Sequence, residues 1–173
     1  MECLHWKKHS HASKPTDFKL NKEFTMDQLI NNVKITQAVT PTAGAAGTSD
    51  IGGTALDMSG AEGVLIVVTM GAITGSAVTS IRAQGGSASN LSDAADLVGT
   101  LQTIPDSAGG NVYYIDVNKP VDRYIRLHVD RGTANAVVAS ATYIQYGSRK
   151  VAVSSHGGTV SGEAHVSPAE GTA

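Results

Sequence analysis

The chain has 173 residues, with 13 Lys and Arg against 15 Asp and Glu and a formal net charge of −2. So balanced a chain carries no basic field of the kind that gathers nucleic acid or an anionic bilayer, both of which need clustered Lys and Arg. Its longest apolar run, Val64-Leu65-Ile66-Val67-Val68, falls far short of the ~20 residues of a membrane-spanning helix.

Residues 1–25 differ in composition from the rest. They hold the sole cysteine, Cys3, the sole tryptophan, Trp6, and His5, His9 and His11, without strand or helix periodicity. Two readings stand for this leader. It is a basic arm too poor in apolar groups to order itself, or it lies upstream of a natural start at Met26, because Lys22-Glu23 can be encoded by a purine-rich ribosome-binding sequence. The three histidines have no fold around them to fix metal geometry, so they are read as an adventitious cluster. Met1 to Lys8 lacks the apolar core of a signal peptide. With Cys3 outside the patterned region, the fold is expected to use no intrachain disulfide, which suits a reducing compartment.

The body, residues 26–150, reads as short strands. Val33, Ile35 and Val39 have strand spacing and stop at Thr40-Pro41, after which Gly44 to Gly53 reads as flexible loop and turns. Thr54–Met58 is a second strand. Gly63–Met70 is apolar on both faces, which predicts a central strand covered on each side. Val78–Gln84 alternates, with Thr79 and Ile81 opposite Val78 and Ser80. Ser89–Val98 is the one place for a helical turn or a long loop, with Ser92 or Asp93 as N-cap. Leu101–Ile104 precedes the Pro105-Asp106 turn, and Val112–Val117 places Tyr113 and Ile115 opposite Tyr114 and Asp116.

The clearest strand is Tyr124–Asp130, with Ile125, Leu127 and Val129 on one face and Arg126, His128 and Asp130 on the other. Arg131-Gly132-Thr133 then turns into Ala136–Tyr146, where Val137, Ala139, Ala141, Tyr143 and Gln145 are predicted to share a side. Seven or eight strands with short Gly- and Pro-bearing turns predict an all-β fold, an antiparallel β-sandwich of jelly-roll type with extended N- and C-terminal segments. Residues 151–173 are too polar and glycine-rich to form a core and read as a tail, mobile or draped over a neighbouring subunit.

Candidate chemistry is thin, and no catalytic, cofactor-binding or metal residue is assigned. The glycine-rich stretch Gly44–Gly53 lacks the Lys-Ser/Thr ending of a phosphate loop. Asp93, Asp96 and Asp106 match no calcium-loop spacing and read as turn formers. His128 has no Ser or Cys nucleophile motif beside it and reads as surface or interface. Tyr113, Tyr114, Tyr124, Tyr143 and Tyr146 could line a carbohydrate platform, but on strands they read as core or contact residues with a wet hydroxyl.

Two stretches carry a resemblance. They are Gln37–Thr40 with Pro41, running through Gly44–Asp50 to Gly63–Val68, and Asp122–Leu127 through Asn135–Ala141 to Ile144–Gly147. Together they resemble small virion proteins of tailed bacteriophages, and within that group the capsid decoration, or cement, proteins. The resemblance spans most of the chain from Met26. It implies a non-enzymatic structural protein made in the bacterial cytoplasm and carried on the virion, bound to the major capsid protein as a homo-oligomer, dimer or trimer, without cofactor, nucleic acid or membrane. Related genes also encode head-fibre, neck or host-attachment modules, so a carbohydrate-binding role on the same sandwich stands as the alternative.

Overall fold

The computed structural model describes residues 28–147, 156–165 and 171. Ten strands form two antiparallel sheets. They are β1 (Lys34–Val39), β2 (Ile51–Gly52), β3 (Leu56–Asp57), β4 (Gly63–Ile73), β5 (Val78–Gly86), β6 (Ala95–Asp96), β7 (Gln102–Ile104), β8 (Val112–Asn118), β9 (Tyr124–Gly132) and β10 (Ala136–Tyr146). Single 3-10 turns cover Leu29–Asn31 and Asp106–Ala108. The leader and its proposed start at Met26 lie outside the described residues, as does most of the tail.

One sheet has the order β1-β10-β4-β8; the other runs β2-β9-β5-β6, with β3 also on β9 and β7 also on β5. Counting β2 with β3, and β6 with β7, as interrupted strands leaves four strand positions in each sheet. The predicted antiparallel sandwich is therefore the observed fold. Its core lies between the sheets and is aliphatic: Val64, Ile66, Val68 and Met70 of β4 meet Ile125, Leu127 and Val129 of β9 and Ile81 and Ala83 of β5. Each such Val, Leu or Ile stabilises the fold by about 1.5–3 kcal/mol when taken from water.

The alternation read from Tyr124 to Asp130 holds, and the strand extends through Arg131 to Gly132. Val112–Asn118 also keeps its predicted faces, with Ile115 buried and Tyr114 exposed. Strand β4 is central, between β10 and β8, but in its apolar run Val64, Ile66, Val68 and Met70 are buried in the core while Leu65 and Val67 are half-buried on the outer face.

Two expectations are corrected and one alternative is decided. In β10 the shared side is broken by register shifts between Ala136 and Ser140, so Ala136, Val138, Ala141, Tyr143 and Gln145 are buried while Ala139 is exposed. A bulge adds a residue and flips parity beyond it. Of the two readings for Ser89–Val98, a helical turn or a long loop, the loop is the observed one. It is a turn-rich loop carrying β6, and the Asp93 carboxylate accepts the Ser87 and Ala88 backbone N–H groups and the Ser87 hydroxyl instead of capping a helix. The stretch Gly44–Gly53 is tied down, since Gly44 accepts the Val138 N–H, Gly47 bridges to Ala136, and Ile51–Gly52 pairs with β9.

Arg131 does much of that tying. Inward at the end of β9 and buried, it donates to the carbonyls of Ser49 (2.7 Å), Ala45 (2.7 Å) and Ala136 (3.0 Å), while its backbone N–H reaches Asp50 (3.0 Å). Arginine suits this role because its planar fork serves several acceptors without a mobile head group.

A second fastening crosses the sandwich. Between β2 and β3 the chain leaves the β9 ladder, and Thr54 N–H bonds to the Ala38 carbonyl in the other sheet. Leu127 would lose its ladder partner there. Its carbonyl instead accepts Gly53 N–H (2.8 Å), and its N–H donates to the Tyr143 hydroxyl (2.7 Å), which reaches over from β10. Burial holds the Tyr143 phenol well above its ordinary range. A Cβ at Gly53 would stand 2.7 Å from that hydroxyl, so the position admits only glycine without displacement.

Candidate functional site

The two outer faces of the sandwich differ in chemistry. On the six-stranded sheet, β5 and β9 set Ser80 opposite Asp130, Arg82 opposite His128, and Gln84 opposite Arg126. These groups pair among themselves. Arg82 reaches Asp96 at 2.9 Å and Asp130 at 3.4 Å, Gln84 donates to Asp96 at 2.7 Å, and Arg126 donates to the Gln84 carbonyl oxygen at 2.8 Å. The Gln84 hydrogen bond, ahead of Arg82, holds the Asp96 carboxyl below the usual carboxylate range.

His128 sits in the middle of this ladder, as its alternation required, but not as an open surface group. Its side chain is 14% exposed, and among the described residues neither ring nitrogen has a hydrogen-bond partner. Asp50 stands 3.7 Å from Nε2. Desolvation, reinforced by the positive charge of Arg82, pushes the imidazole below its ordinary pKa despite Asp50 and Asp96. A neutral ring is thereby favoured under a row of charges.

The carboxylates singled out in the sequence are not brought to one place. Asp93 closes the loop after β5, Asp96 belongs to the ladder, and Asp106 accepts Ser76 N–H at the opposite hairpin. Among the described residues no three His, Cys, Asp or Glu side chains gather as metal ligands. The tyrosines are dispersed too. Tyr143 is inside with its hydroxyl dry, contrary to expectation, and Tyr113 packs against the core. Tyr124 lies under the Arg123 guanidinium, 5.2 Å from the ring centre, and Tyr146 donates to Asp116 at 2.6 Å, with its pKa pushed up to about 12 by burial and that carboxylate. They form no shared platform.

The four-stranded sheet presents a different outer face. Register sets Gln37, Thr142, Val67 and Tyr114 in one row across the strands and Ile35, Ile144, Leu65 and Asp116 in the next. Thr69 and Val112 follow on β4 and β8. Of these ten side chains only Asp116 is charged, and Tyr146 engages it. At the β1 border, residues 156–165 of the same chain lie alongside. Ile35 N–H donates to His156 Nδ1 (3.1 Å), and Gly157 N–H donates to the Ile35 carbonyl (2.8 Å). Thr159–Ser161 then flank a shallow groove of about 300 Å³ beside Gln37 and Thr142.

No protein-family model matches this chain, and no curated protein matches it in sequence. Function is therefore argued from the faces themselves. Antiparallel sheets facing water alternate apolar inward with polar outward, and the six-stranded sheet follows this along β5 and β9 except at Val78, which is 63% exposed at the start of β5. The four-stranded sheet carries Val112 and Tyr114 at more than half exposure with half-buried Leu65, Val67 and Ile144 beside them. Sequence reasoning missed this asymmetry, although the signal was present in the doubly apolar β4 and in Val112 and Tyr114 on the side of β8 opposite Ile115.

Proposed function

We propose that this protein is a structural component of a tailed-phage virion that binds the outer capsid surface and braces the shell, and that it transforms no molecule. The observation carrying the reading is the outer face of the four-stranded sheet, a nearly uncharged surface on which Val112 and Tyr114 stand 61% and 67% exposed. Such a face serves protein-protein contact. The strand order supports the jelly-roll reading: with the interrupted strands merged, it is first-eighth-third-sixth in one sheet and second-seventh-fourth-fifth in the other. The resemblance of Gln37–Val68 and Asp122–Gly147 to capsid decoration proteins supplies the class.

Physically, the brace acts by repetition. Each subunit contributes a modest contact, and a symmetric lattice multiplies it into avidity far above single-site affinity. The test is stoichiometry on purified particles, followed by heat and osmotic shock of particles with and without the protein. Copies in the hundreds and a loss of shell resistance on removal are expected. A dozen copies or fewer, as for a neck or fibre part, or unchanged resistance, overturns the assignment.

A further inference from the structure

We propose that His156 is the acid-sensitive pin of a clasp, by which residues 156–161 cover the outer margin of β1 at neutral pH and leave it in acid. Strand β1 is the outermost of its sheet, and the chain's own later segment lies along it. The Ile35 N–H donates to His156 Nδ1 (3.1 Å), and the Ile35 carbonyl accepts the Gly157 N–H (2.8 Å). The segment then turns on itself, Val160 N–H donating to the Gly157 carbonyl (2.8 Å), and Val160 joins Ile30, Ile35 and His156 around a cavity of about 90 Å³.

The first of these bonds fixes where the ring carries its proton. A main-chain N–H can only donate, so the nitrogen it meets must offer a lone pair, and the imidazole holds its one proton on Nε2. A second proton has only Nδ1 to go to, where it would point at the Ile35 N–H. Two donors then face each other and the bond is lost. Its companion is tied to the same event. A Cβ at Gly157 would stand 3.2 Å from both Cα and Cγ2 of Thr36, so main chain lies against main chain and the two hydrogen bonds act on Ile35 together.

Neighbouring charge does not supply a substitute acceptor at that point. Glu163 lines the same cavity, and its carboxylate is engaged by His165 at 3.1 Å. On β1, Lys34 precedes Ile35 and is exposed. On β10 the residues opposite these two are Gln145 and Ile144, both uncharged, and the turn Leu29–Asn31 carries no charge either. The sign follows from the proton count. The released segment binds one proton more than the seated one, so the clasp holds above about pH 6.5, the ordinary value for a free imidazole, and weakens as pH falls below it. Between pH 7.5 and 5.5 the released population rises about tenfold.

The experiment is amide hydrogen exchange of the full chain at pH 7.5 and 5.5, with each rate normalised to the intrinsic rate at that pH. In wild type the protection of the Ile35 and Gly157 N–H groups is expected to fall about tenfold, by more than any fall at Ile66, whose buried amide reports opening of the whole sandwich. His156→Asn, whose Oδ1 takes the place of Nδ1 and does not titrate, should keep both amides protected at both pH values. His156→Leu, with no acceptor, should expose them at both. Equal protection at the two pH values overturns the proposal, as does a fall in His156→Asn as large as in wild type, full protection in His156→Leu, or a loss at Ile66 matching that at Ile35. No shell enters this assay, so its outcome is read apart from the bracing role.

Discussion

Tyr143→Phe isolates the fastening between the sheets, because it removes one oxygen and leaves the ring that fills the core. In the folded protein that oxygen is the acceptor for Leu127 N–H at 2.7 Å, in the gap where the β2–β3 edge has left the ladder. Tyr143 is fully buried, so no bulk water can replace the lost acceptor. An unsatisfied buried donor costs about 1–3 kcal/mol, and for a domain of this size each kcal/mol lowers Tm by about 3–5 °C. The expected outcome is a fall of about 3–15 °C, with a lower urea midpoint at unchanged slope. Tyr146→Phe is the comparison. Its hydroxyl meets Asp116 at the surface, and its removal should cost less than about 0.5 kcal/mol. If Tyr143→Phe is as mild as Tyr146→Phe, the hydroxyl does not hold the sheets together and the argument from the interrupted ladder fails.

Further outcomes follow from the same contacts. Arg131→Ala strips three carbonyls of a charged donor and frees the Gly44–Gly53 loop, so it should cost about 2–4 kcal/mol and expose that loop to limited proteolysis; cleavage unchanged from wild type would count against it. For His128 the sign is worked from burial. The folded pKa lies below the unfolded value of about 6.5, so the unfolded chain binds more protons and stability, complete above that value, is lost as pH falls below it. His128→Gln should therefore flatten the decline in Tm between pH 7.5 and 5, and an equal decline in variant and wild type refutes the assignment. Asp93→Ala should speed proteolysis within Ser87–Leu101 while leaving the sheets' circular dichroism intact, since Asp93 organises that loop alone.

What could be read from the sequence was set by local periodicity. Ile125, Leu127 and Val129 face inward because a half-buried strand has period two, and nothing in the tertiary structure disturbs β9 or β8. In β10 the same rule failed at Val138–Ser140, where an inserted residue reverses the alternation without any glycine or proline to announce it. For Asp93 the turn-former reading holds and the N-cap reading does not, and the two were open together because a carboxylate that caps a helix and one that gathers the N–H groups of a loop use the same hydrogen bond. Tyr143 and Arg131 were invisible for a different reason: their partners Leu127, Ala45 and Ser49 are 16, 86 and 82 residues away. The contact face required cross-strand register, since Val67 and Tyr114 become neighbours only when β4 and β8 pair.

The docking of His156 and Gly157 on Ile35 has a consequence for how copies can meet. A strand at a sheet's margin exposes unpaired backbone groups that template further strands, and proteins blunt such margins to avoid runaway polymerisation. Here the chain's own C-terminal segment occupies the Ile35 N–H and carbonyl, closing that margin to a stranger's backbone. Open-ended ribbon growth by strand addition is thereby blocked at this margin of the sheet.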